Sequence, residues 1–294
     1  MRAARLHEIG GTPRVDEVEE PHGDLVLEVS ASALNPVDVS IGSGRFYGGT
    51  PETPYVIGSE AVGRLPDGRR VWYQARGAMA ERLAVTPEQA VDVPEGVADP
   101  VALACGVAGL TGWLAISWRA RVTPEDTVLV LGASGTLGGT AVQGAKLLGA
   151  KRVVGAARHS DGIPEAADDV VVIDGSERYP EATVIVDALW GAPFERALAA
   201  AARGVRVAQI GQSAGPTATL ESGWVRGKVA NILGHSLFSV PADALAAGYR
   251  ELAEHARDGK IHFQIETYEL DRIPEAWERQ SSGSPRAKII VALS

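Results

Sequence analysis

The stretch TVLVLGASGTLGG, residues 127–139, decides the fold of this 294-residue chain. It begins with a continuous apolar run that predicts a buried strand. It then leads into residues 136–148, where small and apolar side chains recur at helical spacing. A glycine-rich turn between a strand and a helix presents free backbone N–H groups, and these bind an anion together with the helix dipole. The stretch therefore predicts a binding site for a dinucleotide.

Within this turn the best register is Ala133-x-Gly135-x-x-Gly138, with alanine at the first glycine position. Gly135 allows the backbone to approach a pyrophosphate, and Gly138 allows the helix to pack closely on the strand. The alternative interpretation is a glycine-rich turn that binds nothing. We expect six residues of the turn to contact the cofactor: Ala133, Ser134, Gly135, Thr136, Leu137 and Gly138.

The rest of the chain shows two styles of pattern. The middle alternates short apolar strand patterns with helical ones, which indicates a parallel sheet covered by helices on both faces. The first hundred residues instead contain short strand patterns between glycine and proline turns, typical of an irregular barrel, and the C-terminal segment resembles them. We predict an α/β protein with a discontinuous β-rich domain, residues 1–102 and 241–294, and a doubly wound parallel-sheet domain, residues 103–240.

Composition excludes several classes of protein. Apolar residues make up 45% and charged residues 22% of the chain, as in average soluble proteins, and the net charge is −9. Nucleic-acid binders need a basic face, so we expect no nucleic acid partner. No apolar run reaches the roughly 18–20 residues of a membrane span, and the single cysteine cannot form an internal disulfide. We therefore expect a cytoplasmic protein that does not bind membranes.

The end of the strand pattern at residues 152–156 indicates which dinucleotide binds. An NAD enzyme usually has a carboxylate there for the ribose hydroxyls, whereas an NADP enzyme has a neutral or basic residue. Arg158 can pair with a 2′-phosphate, Ser160 can add a hydroxyl, and no carboxylate occurs before Asp161. The alternatives are that Arg158 is a solvated loop residue and that the nearby Asp161 favours NADH. We predict NADPH.

Several motifs, taken together with the glycine-rich turn, resemble the medium-chain dehydrogenase/reductase superfamily, in its zinc-independent quinone oxidoreductase-like branch. The resemblance implies a GroES-like domain and a Rossmann domain, with the active site in the cleft between them, and a homodimer joined through the edge strand at residues 229–233. The motifs are ASALNPVDVSIGSGRF, PYVIGSEAVG, GAMAERLAV, AGLTGW, GVRVAQIGQSAG and PRAKIIVAL.

The resemblance also bears on metal. Zinc-dependent members have a catalytic cysteine and a Gly-His-Glu motif, but this chain has Asn35 at the first position and Gly58-Ser59-Glu60 at the second. Its lone cysteine, Cys105, lies far from both, and its six histidines show no ligand spacing. Because tetrahedral zinc needs three or four close N, S or O ligands, we expect no zinc.

The NPVD stretch supplies the candidate catalytic residues. The resemblance places Asn35 and Asp38 in the cofactor and substrate cleft, where the Asn35 amide can donate to an oxygen that gains negative charge. The alternatives are an Asx turn at Asn35 and a loop-bracing role for Asp38. Two tyrosines that often follow in relatives align with Ser40 and Phe46, so we take the adjacent Tyr47 as the candidate proton donor.

Two further loops follow late strands of the predicted parallel sheet. Ligands of such sheets bind at the carboxyl ends of the strands, so these loops are expected to border the nicotinamide. Their cofactor-binding residues are Gly211, Gln212, Gly234, His235 and Ser236.

Three functions are compatible with these residues. The first is an NADPH-dependent quinone oxidoreductase, because without zinc the acceptor must already be electron-poor. The second is an enone reductase, or an enoyl thioester reductase of a biosynthetic pathway. The third is a non-enzymatic NADPH-binding protein on the same fold.

Overall fold

A computed structural model describes residues 1–283 and 285–293 of the chain. It contains two compact units, the first formed by Met1–Ala108, Ala242–Gly259 and Phe263–Ser294, the second by Gly109–Pro241 and Lys260–His262. The sequence placed the first boundary six residues earlier, at 102/103. The observed division falls inside the helical segment Asp99–Arg119, just after the break in the helix at Gly106.

The strands are, in chain order, β1 Arg2–Leu6, β2 Arg14–Glu17, β3 Val26–Leu34, β4 Tyr55–Val56, β5 Glu60–Arg64, β6 Arg70–Gln74, β7 Arg82–Ala84, β8 Val91–Asp92, β9 Thr127–Leu131, β10 Arg152–Ala157, β11 Asp169–Val172, β12 Val184–Asp187, β13 Arg206–Gln209, β14 Asn231–Gly234, β15 Ile265–Glu269 and β16 Lys288–Ala292. The helices longer than one turn are α1 Pro36–Gly42, α2 Asp99–Arg119, α3 Thr136–Leu147, α4 Gly191–Ala200, α5 Ser222–Gly227, α6 Ala242–Arg257 and α7 Ile273–Ser281.

The first unit is built on antiparallel strand pairs, except that β15 and β16 run parallel. One sheet has the order β2-β1-β4, and a larger one has the order β15-β16-β3-β5-β6-β8, with β7 also paired to β3. Strand β16 runs antiparallel to β3 and pairs Ile289 with Leu34. This register brings Lys288, near the end of the chain, beside Asn35. Buried side chains such as Leu6, Leu27 and Met79 form the core between the sheets.

The second unit contains a six-stranded parallel sheet with the order β11-β10-β9-β12-β13-β14. This is the 3-2-1-4-5-6 order of dinucleotide-binding folds, so the predicted α/β class is confirmed. The strand predicted at residues 127–131 is β9, and the helix predicted to follow it is α3. The spacing of apolar residues predicts a helix over residues 194–203. The observed helix α4 begins three residues earlier, at Gly191 directly after the turn from β12, and Ala201 is already extended.

One feature differs from the sequence expectations. Helix α2 is 21 residues long and apolar enough to cross a membrane by length and composition, with a mean hydropathy of 1.6, although the sequence analysis found no such segment. Glycines and Thr111 interrupt the apolar residues, so the sequence does not show one continuous apolar run. In the structure 78% of the apolar stretch is buried inside the protein, as in a core helix. In addition, no helix covers residues 158–168, so Val170 and Val172 of β11 remain 47% and 44% exposed.

Candidate functional site

The first unit contains a buried polar cluster of five side chains, which we call the Asn35 cluster. Asn35 precedes α1, Ser59 and Glu60 lie at the start of β5, and Lys288 opens β16. Asp38 belongs to the first turn of α1, where its carboxylate accepts the Asn35 backbone N–H at 2.8 Å. None of the five side chains is more than 5% exposed. The predicted pair of Asn35 and Asp38 is therefore placed together, in a site that excludes water.

Hydrogen bonds hold the Asn35 amide at both ends. Its Oδ1 accepts from the Lys288 ammonium group. Its Nδ2 donates to Glu60 Oε1 at 2.8 Å and to Ser59 Oγ at 3.1 Å. Both amide hydrogens are thus used inside the cluster, and the orientation of the amide is fixed.

Glu60 accepts four hydrogen bonds. Oε1 accepts from Lys288 Nζ at 2.9 Å in addition to Asn35, and Oε2 accepts from Trp72 Nε1 at 2.8 Å and from the Val107 N–H at 2.7 Å. The Val107 N–H is available because Gly106, with ψ of −137°, breaks helix α2. A Cβ at Gly106 would lie 1.8 Å from Glu60 Oε2. The carboxylate therefore occupies the space that a larger residue at 106 would take.

The charge state of Asp38 differs from that of an ordinary carboxyl. Burial raises the pKa of Asp38 to about 7, although its bond from the Asn35 N–H and the charge of Lys288 act in the opposite direction. Ser59 Oγ also donates to Asp38 Oδ2 at 3.2 Å. The protonated form of the Asp38 carboxyl is therefore favoured more than in an ordinary, exposed carboxyl.

The structure separates the two tyrosines near this cluster. It places Tyr47 outside the cluster, with 81% of the residue exposed and its ring 4.6 Å from that of Phe46. Sequence reasoning missed Tyr55, whose hydroxyl is buried and forms no hydrogen bond within residues 1–283 and 285–293. Burial and the charge of Asp38 raise the pKa of Tyr55. The sequence does show this tyrosine just before the Gly-Ser-Glu motif, and its position there could have identified it as a candidate site residue.

The Asn35 cluster does not fit a zinc ion. Asn35 and Ser59, which take the positions of two metal ligands in zinc-dependent relatives, lie together but carry an amide and a hydroxyl. The neighbouring group is the ammonium of Lys288, paired with Glu60, and a buried positive charge opposes a second cation. In the described part of the chain no group of three His, Cys, Asp or Glu side chains suits a metal ion.

The second unit contains the predicted glycine-rich turn, and its geometry fits a pyrophosphate. Gly132 has a φ of +88°, which favours glycine. A Cβ at Gly138 would lie 2.2 Å from the Gly132 carbonyl oxygen, so helix α3 packs directly on the turn. A Cβ built at Gly135 would be in ordinary van der Waals contact with the Gly132 carbonyl oxygen, 3.8 Å away, and would meet no closer atom at the helix N-terminus.

The other predicted cofactor residues follow strands that end at the same edge of this sheet. Arg158 and Ser160 follow β10 and are exposed, Gln212 follows β13 and is exposed, and His235 follows β14 and is buried. Two buried atoms at this edge lack a hydrogen-bond partner among the described residues, Asp187 Oδ2 and His235 Nδ1. Sequence reasoning did not single out Asp187. Such atoms are expected where a ligand completes the site.

Asp187 lies at the end of β12, between the strand of the glycine-rich turn and β13. Its Oδ1 accepts the backbone N–H groups of Leu189 and Trp190, both at 2.9 Å. Burial raises the pKa of Asp187 to about 6. These bonds hold the turn into α4, in which Trp190 has a φ of +59°, rare for an aromatic residue.

Known proteins that are similar to this chain include reductases and a polyketide synthase. The profile of a family described as zinc-binding dehydrogenase matches residues 163–291. The chain is 26% identical to a phenolphthiocerol/phthiocerol polyketide synthase polypeptide of Mycobacterium tuberculosis, over its full length but only 14% of that protein. It is 28% identical to acryloyl-coenzyme A reductase of Sulfurisphaera tokodaii, over 73% of this chain and 65% of that one.

Among solved structures, the quinone oxidoreductase of Thermus thermophilus is similar over the whole of both chains. The TM-score is 0.85 and the sequence identity is 26%. That protein was crystallised alone and in complex with NADPH.

Proposed function

We propose that this chain, which resembles the quinone oxidoreductases of the medium-chain dehydrogenase/reductase superfamily, is an NADPH-dependent oxidoreductase that transfers hydride to a quinone or related electron-poor carbonyl compound. The observation that carries this proposal is the Asn35 cluster. An amide and a hydroxyl occupy the positions of two metal ligands there, with an ammonium group beside them. These groups do not polarise an alcohol strongly, so the acceptor must already be reactive.

The second unit would hold the cofactor. NADPH supplies the hydride when it is bound. The space at Gly135 suits the pyrophosphate, since the free N–H groups of α3 point toward it. The exposed Arg158 guanidinium would pair with the 2′-phosphate, with Ser160 as a second contact. The nicotinamide end would contact Gly211, Gln212, Gly234, His235 and Ser236.

The first unit would stabilise and protonate the acceptor oxygen. The longer bond of the Asn35 amide, 3.1 Å to Ser59, is the one that an acceptor oxygen would replace as it gains negative charge. Asp38 would then give its proton to that oxygen, directly or through Ser59, because its pKa lies near 7. Tyr47 is the alternative donor. Lys288 and Glu60 would keep the amide oriented.

A second candidate function is reduction of an enone or enoyl thioester. It is favoured by the similarity to a reductase that is named for acryloyl-coenzyme A. In that reaction the oxygen that gains charge is a thioester carbonyl, and the same Asn35 amide would stabilise it. A third candidate, a non-enzymatic NADPH-binding protein, would bind the cofactor without oxidising it.

One screen distinguishes these functions. Oxidation of NADPH is followed at 340 nm with quinones, 2-alkenals and enoyl-coenzyme A thioesters as acceptors. Turnover of quinones alone supports the proposal, and faster turnover of thioesters supports the second candidate. Saturable NADPH binding without turnover of any acceptor contradicts both. A chelator is expected to leave the activity unchanged, whereas stoichiometric zinc in the purified protein would contradict the zinc-free site.

We propose further that the protein is a cytoplasmic homodimer. Strand β14 is an edge of the parallel sheet, and Val229 and Ile232 beside it are 51% and 36% exposed. An apolar edge invites pairing with a second copy of the same strand. Light scattering that finds only monomer at micromolar concentration would contradict the dimer.

A further inference from the structure

The side chain of His235 carries a buried nitrogen without a partner. Its backbone N–H donates to the Gln209 carbonyl at 2.8 Å, so the residue extends the ladder between β13 and β14. The residue is 5% exposed. Nε2 lies 3.2 Å from the carbonyl oxygen of Thr111, and Nδ1 has no hydrogen-bond partner among the described residues.

The contact with Thr111 determines which nitrogen carries the hydrogen. A carbonyl oxygen only accepts, so Nε2 must donate. Burial lowers the pKa of His235 to about 4, and the ring is therefore neutral at physiological pH. A neutral imidazole has one N–H, which leaves Nδ1 as a bare acceptor. A buried acceptor without a donor is unfavourable, and native proteins keep one where another molecule supplies the donor.

The position of His235 indicates what that molecule is. Strand β14 ends the half of the sheet formed by β12, β13 and β14. If the pyrophosphate binds at the turn after β9 and the 2′-phosphate at Arg158 after β10, the nicotinamide extends toward the opposite half. The carboxamide N–H is the hydrogen-bond donor of the nicotinamide ring. Arg119, whose buried Nε also lacks a partner among the described residues, acts electrostatically on His235 but forms no hydrogen bond with it, so the carboxamide N–H is the donor that a bound cofactor would bring to Nδ1.

We propose that His235 Nδ1 accepts a hydrogen bond from the carboxamide of the nicotinamide and thereby fixes the rotation of the ring. This inference rests on the proposed NADPH-dependent function. It adds a side-chain acceptor to the backbone contacts expected from the sequence at this loop. A ring held in one orientation presents one face to the acceptor, so His235 acts as a positioning residue for hydride transfer.

The test compares two dinucleotides by isothermal titration calorimetry. NADP⁺ has the carboxamide, whereas its 3-acetylpyridine analogue has an acetyl group and no N–H. The wild-type protein is expected to bind NADP⁺ about three- to tenfold more tightly than the analogue. His235→Phe should remove most of this preference by weakening NADP⁺ alone. Adenosine 2′,5′-bisphosphate, which lacks the nicotinamide, should bind equally to both proteins and serves as the control.

Three outcomes would overturn the proposal. These are equal weakening of NADP⁺ and the analogue in His235→Phe, no weakening of either, and a wild-type protein that does not distinguish them. If His235→Phe fails to fold, NMR of the wild-type protein labelled with [¹⁵N]histidine tests the proposal instead. The unbonded Nδ1 signal must move upfield with NADP⁺ and stay in place with the analogue. If the wild-type protein binds none of the three ligands, the proposed NADPH-binding function is contradicted, and this inference is contradicted with it.

Discussion

The Asn35 cluster of the first unit and the sheet edge of the second unit use their hydrogen bonds differently. In the Asn35 cluster, Glu60 accepts four donors and the Asn35 amide is bonded at every N–H. At the edge of the parallel sheet, Asp187 and His235 each retain a buried atom without a partner among the described residues. A saturated cluster is rigid before any ligand arrives, whereas an unsaturated edge gains its missing bonds from a ligand. The comparison predicts which substitutions affect stability and which affect binding.

The largest expected effect follows loss of the buried ion pair. Lys288→Met leaves Glu60 charged and buried with fewer donors, so the free energy of unfolding should fall by about 3–5 kcal/mol. Urea denaturation followed by tryptophan fluorescence measures this change. The matched control is Lys146→Met, which breaks a half-exposed pair with Asp168 and should cost much less. Equal losses for the two variants would contradict the view of the Asn35 cluster as a saturated core.

The second effect concerns the unsaturated unit and spares stability. Arg158→Ala should weaken NADPH binding by about 1.5–3 kcal/mol, since a hydrogen bond to a charged group is lost. Binding of NADH should hardly change, because it has no 2′-phosphate. Titration of both cofactors by fluorescence provides the measurement. Equal losses for NADPH and NADH would assign a structural role to Arg158.

The third prediction concerns the pH dependence of stability. The unfolded chain loses the Asp38 proton near its ordinary pKa of 3.8, whereas the folded protein keeps it up to about pH 7. The native state therefore binds more protons between these values, and its stability should fall as pH rises through this window. The slope approaches about 1.4 kcal/mol per pH unit.

Asp38→Asn is expected to remove this slope. Urea denaturation of the wild type and the variant at several values between pH 4 and pH 8 measures the difference between them. Parallel curves would show that Asp38 titrates normally, and an acid role for it in catalysis would then be untenable.

The smallest effect tests the chemical step. Asn35→Ala should slow hydride transfer by about tenfold, less than the loss of a dominant oxyanion donor, because the acceptor is already reactive. NADPH affinity should remain almost intact. Single-turnover stopped-flow oxidation of NADPH separates the step from binding. Tyr47→Phe is the companion variant, and a larger loss there than in Asn35→Ala would make Tyr47 the proton donor in place of Asp38.

Much of the fold was predictable because its signals are local. Residues 127–131 are apolar without interruption, and Gly135 directly precedes the helix, so strand, turn and helix were each placed correctly. The parallel sheet follows from the same alternation of strands and helices, whereas the order of its six strands is seen only in the structure. The start of α4 was misplaced because the Asp187 side chain, rather than a local cap, holds the turn before it.

The candidate site was predictable only in part. Asn35 and Asp38 are three positions apart and meet through a single helical turn, so their association is visible in the sequence. Lys288 is 253 residues from Asn35, and its contact depends on the pairing of β16 with β3. The bare nitrogen of His235 depends on a carbonyl 124 residues away. Such contacts are set by tertiary packing, which a single sequence does not reveal.

The break in helix α2 at Gly106 limits the order in which substitutions near it can be accepted. An alanine at 106 would bring its Cβ within 1.8 Å of the Glu60 carboxylate and 2.5 Å of Trp72 Nε1, so the substitution needs a shorter residue at 60 and a shift of the Trp72 ring. A shorter residue at 60 in turn leaves Lys288 without its counter-ion. Each first step along this route is unfavourable, and the three positions are bound to change together or not at all. Sequence libraries made from this protein should therefore vary residues 60, 106 and 288 as one unit.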